Sequence, residues 1–383
     1  VSRNDTVATT ATDPAAVRDR LWEAALGGDE KAAVGVVFSA MDAGMAAEDA
    51  LLEVIAPVQR KIGTEWAANR ITVAQEHAAT AINDRVIGAL SQHTADETAA
   101  HTGRVTVACV DGEWHALPAR LLAEVLRLRG WQVDFLGAQV PTPHLIAHLH
   151  QHAPDAVALS CSIPTRLPTA HGAITACQAA GVSVLVGGAA FGRDGRYARL
   201  LGADAWAADA RTAAKCLNDG IGRLRLTPNR HFSEDLPHLA DQEYSMVSTA
   251  KAQLVKTTVT ELQDRFPAMR DYSEAQRDHT TEDIAHIVDF LATALYIDDD
   301  DLFTGFIVWT AEVLSSRGVP ATSLIPALDL LSAQLQDFPR AQRLLAAART
   351  ALTSETARLV DALEHLTSGP DTDSDRSKET EIG

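Results

Sequence analysis

The chain has only four cysteines in 383 residues: Cys109, Cys161, Cys177 and Cys216. None stands at the spacing of a metal knuckle. Cys109 and Cys161 fall in apolar, strand-like runs, so buried free thiols are expected. No cysteine follows residue 216, which excludes a thioether-linked pigment beyond that point. Long apolar runs are also absent. No stretch of about 18 apolar residues occurs, so no membrane-spanning helix is expected. Basic residues are in deficit, 33 Lys and Arg against 51 Asp and Glu, for a formal charge of −18. The imbalance deepens from Asp241 onward, with 25 acidic and 12 basic side chains. Such a surface repels a phosphate backbone, and no helix-turn-helix or zinc-finger pattern stands ahead of the first helical segment, so direct DNA binding is not expected. The first 14 residues are polar and threonine-rich, without the basic-then-apolar layout of a signal peptide, and a cytoplasmic location is expected.

The length admits two or three domains, each with its own core. Residues 1–13 read as disordered. Residues 14–100 contain only helical patterns, predicted at 14–26, 30–44, 48–68 and 73–92. Apolar residues recur at helical spacing, as in Leu51, Val54, Ile55, Val58 and Ile62. Asp13-Pro14 has the form of an N-cap followed by proline at the first helical position. Four amphipathic helices with short connections predict a bundle, a helical cap. Residues 101–222 alternate strand and helix, with strands predicted at 105–110, 132–136, 156–160, 182–186 and 205–208. Apolar strands joined by helical crossovers predict a Rossmann-like parallel α/β sheet, which binds ligands beyond the carboxyl ends of its strands. Residues 223–242 read as a linker. Residues 243–366 are helical again, at 247–266, 281–295, 301–317, 323–336 and 340–366. Residues 367–383, rich in Ser, Asp and Thr, read as a disordered tail.

The first chemical constellation is Asp111-Gly112-Glu113-Trp114-His115, directly after the first strand. It puts a histidine where such a sheet binds ligands. A carboxylate two residues earlier can accept the second ring N–H and fix the tautomer of a metal-bound imidazole. Forty-one residues separate Pro118 from Ser160, and Gly187-Gly188 follows later. This layout resembles the cobalamin-binding domain of methionine synthase and its relatives, whose pattern is Asp-x-His-x-x-Gly, about 41 residues, Ser-x-Leu, then Gly-Gly. Phe135-Leu136-Gly137 and Val140-Pro141 match the stretch after that family's second strand. The resemblance implies that His115 is the lower axial ligand of cobalt, in place of the cofactor's own base. It implies that Glu113 orients the ring and that Ser160 and Ser162 stand near the displaced nucleotide tail. Gly187 and Gly188 would let the backbone approach that tail. Three positions depart from the pattern: Glu113 for Asp, Pro118 for Gly and Ser162 for Leu. Proline is tolerated in a helix's first turn.

The second constellation lies in the cap: Ile62-Gly63-x-x-Trp66, then Val73-Ala74-x-Glu76-His77. It resembles the cap of the light-sensing cobalamin repressors of carotenoid synthesis. That resemblance implies that Trp66 packs over the upper face of the corrin and that Glu76 and His77 contact an adenosyl group. An aromatic lid with a carboxylate acceptor suits a nucleoside better than a methyl group, so adenosylcobalamin is the expected form. Those repressors carry a histidine after the tryptophan as second cobalt ligand, whereas this chain has Ala67, so the same photoproduct is not expected.

The third constellation is on the helix spanning 281–295. Asp283, His286 and Phe290 share a face by the i, i+3, i+7 rule. Arg270, Tyr272, Tyr296, Phe303, Phe306 and Trp309 are nearby in sequence. A planar pigment bearing propionates needs such a set: rings to stack, Arg for carboxylates, His or Asp for pyrrole nitrogens. Cap, sheet and helical domain in this order resemble the photocobilins, which join cobalamin to a biliverdin chromophore on a globin-like domain. The resemblance implies a light sensor holding adenosylcobalamin and a non-covalent bilin, with no output enzyme visible, a protein partner downstream and a possible homo-oligomer. Two readings compete: a corrinoid carrier of a methyltransferase system, and a cobalamin-dependent regulator without a bilin.

Overall fold

The computed structural model describes residues 13–94, 102–220, 236–265, 269 and 271–367. All but Asp13 of the expected disordered N-terminus, most of the expected linker, Arg270 and nearly all of the expected tail lie outside the described residues.

The cap opens with α1 (Pro14–Leu26), where the Asp13 carboxylate accepts from the Ala15 amide and Pro14 takes the first turn. Helix α2 (Glu30–Asp42) is capped by Asp29. The single helix expected over 48–68 is interrupted. A short α3 (Ala47–Asp49) passes into a π-helical turn, Ala50–Ile55, before α4 (Ala56–Ala67) resumes the α pitch. Pro57 stands at that resumption. It has no N–H to give Glu53 and crowds the preceding turn, and a locally widened helix accommodates both defects. Helix α5 (Val73–Thr94) completes the bundle. Its core is aliphatic, with Leu21, Val37, Leu51, Ile55, Ile62 and Val86 sealed from solvent. Leu117, Leu121 and Val125 of α6 (Ala116–Leu128) join the same cluster, so the cap shares its core with the first crossover helix.

Five parallel strands follow: β1 (Gly103–Cys109), β2 (Trp131–Gly137), β3 (Ala156–Ser160), β4 (Ser183–Gly187) and β5 (Ala205–Ala207). Their order is β2-β1-β3-β4-β5. Every residue of β3 is buried, as expected of a strand covered on both faces. Helices α6, α7 (Thr142–His152), α8 (Leu167–Ala179), α9 (Arg196–Leu200) and α10 (Ala210–Asp219) provide that cover. The order in which strands are added reverses between β1 and β3, and doubly wound sheets of this order open a ligand crevice at that switch point. Register places Cys109 beside Ser160 and Ser160 beside Gly187. The loops carrying His115, Ser162 and Gly188 therefore leave from one level of the sheet.

The remaining helices are α11 (Pro237–Ala240), α12 (Glu243–Arg265), α13 (Glu274–Ile297), α14 (Asp300–Ser316), α15 (Ile325–Gln334) and α16 (Pro339–Thr367). The chain forms two compact units, and the helical region expected as one domain is divided between them. One unit is Val1–Ala252 with Ala285–Asp299; the other is Gln253–Ile284 with Asp300–Gly383. In the first unit, Tyr296 of α13 meets His171 of α8, with Oη and Nδ1 2.5 Å apart, and stacks on His238 at 3.9 Å. Tyr197 donates to Asp299 at 3.0 Å. In the second unit, α14 packs along α16 with Phe303 and Ile307 fully buried, and Gln334 bonds Thr258 at 2.8 Å. Among the described residues no helix is long and apolar enough to cross a membrane.

Candidate functional site

The loop after β1 is built around one buried carboxylate. The Val110 amide bonds the Ser160 carbonyl at 3.1 Å, and Gly112 turns the chain at a left-handed φ of 76°, which glycine adopts without strain. Glu113 is then fully buried and accepts four hydrogen bonds. The His115 amide reaches Oε1 at 2.8 Å and the His115 ring Nδ1 at 2.6 Å. The Ser162 and Ile163 amides reach Oε2 at 2.6 and 3.0 Å. One side chain thus ties the β1 loop to the β3 loop across the switch point. Burial by itself would push the Glu113 carboxyl up. The His115 ring, the His115 amide and the two β3-loop amides together outweigh it and hold the group at about 2.

His115 is the N-cap residue of α6, and its ring is 57% exposed. The hydrogen bond to Glu113 raises its basicity; partial burial opposes this, and the charges of Glu113 and of Glu76 in the cap add to it. With Nδ1 directed at Glu113, Nε2 is the ring atom left for an external ligand. Among the described residues no three His, Cys, Asp or Glu side chains converge to hold a metal ion.

The other sequence-predicted residues of this wall fall around the same crevice. Ser160 is buried at the end of β3. Ser162 contributes its amide to Glu113 and is half-buried. Gly187 ends β4, and a Cβ there would lie 3.2 Å from the Ala207 carbonyl. Gly188 has φ 103°, and a Cβ there would stand 2.2 Å from the Cys161 carbonyl oxygen. No other residue fits that close approach without moving the β3 loop. Pro118 sits inside the first turn of α6, where a missing N–H costs nothing. Cys109 and Cys161 beneath the loops are free and buried; burial, and then the Glu113 charge, push the Cys109 thiol up to about 12. They are core, as expected.

Two residues here escaped the sequence reading. Trp114, beside His115, is 70% exposed, a large apolar surface at the mouth of the crevice. Arg166, from the turn Pro164–Arg166, lies flat on Gly112, where an added Cβ would be 3.0 Å from its guanidinium carbon. Trp114 was legible from its motif position. Arg166 was not, because only the sheet brings the β3 loop over the β1 loop.

The cap supplies the other wall. Thr72 and Gln75 form a reciprocal capping box at the start of α5, the Gln75 amide bonding the Thr72 hydroxyl at 3.2 Å and the Thr72 amide the Gln75 side chain at 2.9 Å. This places Glu76 at the end of the helix's first turn, with His77 following it. Their side chains bond one another through Oε2 and Nδ1, and His77 is largely exposed. The Thr80 hydroxyl donates to Glu76 Oε1 at 3.0 Å. Trp66 is the penultimate residue of α4 and packs, half-buried, against the cap core. Val73 is exposed beside this turn. The cap is clamped to the sheet domain by charge. Glu48 accepts from Arg129 at 2.8 and 2.9 Å and from Arg211 at 3.0 Å, and Arg211 also reaches Asp49 and Glu53.

The third constellation is less drawn together. Asp283, His286 and Phe290 lie on α13, with His286 exposed and the other two half-buried. The sealed face of that helix is Ile284, Ile287, Val288 and Leu291. Tyr272 is half-buried, and Arg270 is outside the described residues. Tyr296, expected among the pigment contacts, instead spends its ring on His171 and His238 in the first unit. Phe303 is core, and Trp309 is exposed.

Comparison with known proteins bears on the sheet domain and the cap as domains. Residues 103–215 match the model of the B12 binding domain, and residues 17–91 match a second B12 binding domain model. The sheet and cap thus form a cobalamin-binding unit. The chain is 34% identical over 151 residues to the HTH-type transcriptional repressor CarA of Myxococcus xanthus, a match over 38% of this chain and 47% of the repressor. The match thus spans about half the length of that relative. Among solved structures, the monomethylamine corrinoid protein of Methanosarcina barkeri aligns with a TM-score of 0.46 and 20% identity, over 54% of this chain and 98% of its own. A cobalamin-binding protein from Desulfitobacterium hafniense DCB-2 aligns with a TM-score of 0.31 and 20% identity, over 54% and 98%.

Proposed function

We propose that this protein is a light sensor that holds adenosylcobalamin between the cap and the sheet domain, with His115 as lower axial ligand, and a bilin, biliverdin, on its C-terminal helices. The observation that carries the reading is the pairing of walls. His115 stands on the sheet side with Nδ1 fixed by a buried carboxylate. Glu76 stands on the cap side, close enough for its charge to favour the His115 proton.

The residues fit a base-off, His-ligated corrinoid. His115 offers one imidazole nitrogen of set tautomer. Trp114 and Val73 offer exposed apolar surface, and the Gly188 cradle admits backbone contact where a Cβ would clash. Adenosylcobalamin supplies a cobalt–carbon bond that light breaks. The chain's own part is to hold the base side through His115, to present Glu76 as acceptor and Trp66 as lid on the other side, and to let the cap shift when the upper group leaves. The Arg129 and Arg211 clamp keeps cap and sheet tethered during such a shift, a two-state interface biased by a local event. The bilin assignment rests on the sequence pattern of Asp283, His286 and Phe290 with Arg270 and Tyr272 upstream, and the absence of cysteine after residue 216 excludes a thioether link there. The acidic surface favours a protein partner over DNA as receiver of the signal, with no enzymatic step in this chain.

The test is an action spectrum. Adenosyl loss should extend into red light when the protein is loaded with biliverdin and stop at cobalamin wavelengths without it. Identical action spectra refute the coupling. Failure of biliverdin to bind leaves a cobalamin-dependent regulator, and equal affinity for methyl- and adenosylcobalamin favours a corrinoid carrier.

A further inference from the structure

Glu76 does not stand alone in the cap. Behind it runs a hydrogen-bonded line through two helices. The Asn83 amide nitrogen donates to Gln59 Oε1 at 2.9 Å, the Gln59 amide nitrogen donates to Thr80 Oγ1 at 2.8 Å, and the Thr80 hydroxyl donates to Glu76 Oε1 at 3.0 Å. Every bond points the same way, from the cap interior to the carboxylate.

Two features set this line apart from ordinary packing. The first is the use of the Thr80 hydroxyl. Thr64, Thr260, Thr280, Thr293 and Thr350 all spend their hydroxyl proton on the carbonyl four residues back, the usual habit of threonine in a helix. Thr80 spends it on the side chain four residues back. It can do so while still accepting from Gln59, because a hydroxyl both donates and accepts. The second is the far end. Asn83 is fully buried, and its Oδ1 has no hydrogen-bond partner. A buried amide oxygen left unsatisfied is destabilising, because it loses its water without gaining a partner. The cost arises because the amide is turned to send its N–H outward along the line. An aliphatic side chain would fill the same helix face, which is otherwise Ile82, Val86 and Ile87, without that cost.

We infer that Asn83, Gln59 and Thr80 are positioning residues that aim and polarise the Glu76 carboxylate as an acceptor for a hydroxyl-bearing upper ligand, and so set the choice of a nucleoside over a methyl group on the cobalt. The inference rests on the proposed adenosylcobalamin reading and deepens it. With Thr80 on Oε1 and His77 on Oε2, the carboxylate is fixed from both sides and keeps acceptor capacity to spare. A carboxylate presents no donor of its own, so it recognises groups that donate, such as a ribose diol. A methyl group offers it nothing. Bonds in a line that share one direction strengthen one another, so the buried amides act at the carboxylate without touching the ligand.

The experiment compares dissociation constants for adenosylcobalamin and methylcobalamin in the dark, on the full chain. Wild type is set beside Thr80→Val, which keeps shape and loses the hydroxyl, Gln59→Leu, and Thr80→Ser. Val and Leu should each reduce the adenosyl preference about tenfold, the worth of roughly one hydrogen bond to a charged group, while methylcobalamin affinity stays within twofold. Ser should restore the preference. Adenosyl preference unchanged in both Val and Leu variants overturns the inference and leaves the proposed cofactor standing. Equal loss of both affinities also overturns it, since the residues would then only support the cap. A wild type that does not prefer adenosylcobalamin refutes the cofactor reading, and this inference falls with it.

Discussion

The two walls of the site use the same pair of residue types to opposite ends. On the sheet side, Glu113 serves His115. The carboxylate is sealed, takes four hydrogen bonds from the β1 and β3 loops, and leaves the ring half-exposed with one nitrogen turned outward. On the cap side, the surroundings serve Glu76. The histidine next to it is the exposed partner, and a line of neutral polar side chains behind it fixes the carboxylate. A buried carboxylate held by amides is an orienting device. A half-exposed one held from behind is a recognition device. Residue type alone does not separate the two; burial and the direction of the hydrogen bonds do.

The difference can be broken first at His115. Replacement by Ala removes the ligating nitrogen and should lower cobalamin affinity on the order of 100-fold or more, beyond what loss of an orienting partner costs. Absorbance titration checks it, and unchanged axial-ligation bands in the variant would remove His115 from the lower face. Glu113→Gln should weaken binding less, about 10- to 100-fold. It should also destabilise the ligand-free protein by about 1–3 kcal/mol, because two β3-loop amides lose a charged acceptor. Urea unfolding measures the second effect. If stability falls and affinity does not, the carboxylate is a strut for the loops and not an orienter of the ring.

Acid separates the walls in a further way. Glu113 is held at about 2, well below an unfolded glutamate near 4.3. Its contribution to stability is therefore complete above roughly 4.3 and is lost as pH falls through about 2. His115 is raised, so its contribution in the ligand-free protein is complete below its unfolded value near 6.5 and is lost as pH rises through its folded one. Unfolding of wild type and Glu113→Gln followed from pH 2 to 8 should converge at the acid end and separate above pH 4. Parallel curves throughout would show that the charge on Glu113 is not what holds the loops.

Gly188→Ala probes the same wall without touching charge. The left-handed φ and the 2.2 Å approach to Cys161 should cost about 1–3 kcal/mol of stability and loosen cobalamin binding together with it. A variant as stable as wild type would mean that the loop yields easily. The smallest effect is expected at Arg211→Ala. Its contacts to Glu48, Asp49 and Glu53 are partly exposed, so each is worth roughly 0.2–1 kcal/mol. The loss should shrink further in high salt, which a melting comparison with and without added salt reads.

Much of this was legible in the chain. Strand β3 and helix α1 fall at the expected residues, because a continuous apolar run between turns and an Asp-Pro cap are local signals. Most other elements agree within a few residues at each end, but α13 begins at Glu274, seven residues before the expected 281, and α11 falls inside the segment expected as a linker. The break in the third cap helix was not foreseen, although Pro57 carried it. The periodicity over 48–68 persists through a π turn that only the backbone bonds disclose. The motif around His115 was readable, and its partner Glu113 follows from a spacing of two. The Ser162 and Ile163 amides were not, since they come from a loop nearly fifty residues later.

The sequence by itself determined the classes of element, the parallel sheet, the position of the candidate ligand and the lack of any thiol to tether a pigment after residue 216. These depend on side-chain pattern and local backbone preference, which short windows carry. Tertiary structure alone decided that Glu113 is sealed while Glu76 is not, that Gly188 lies against Cys161, that Arg166 covers Gly112 and that Tyr296 turns to His171. Each of these is a meeting of residues far apart in the chain. Their geometry is set by how the strands register and how the helices pack, and no local pattern encodes that.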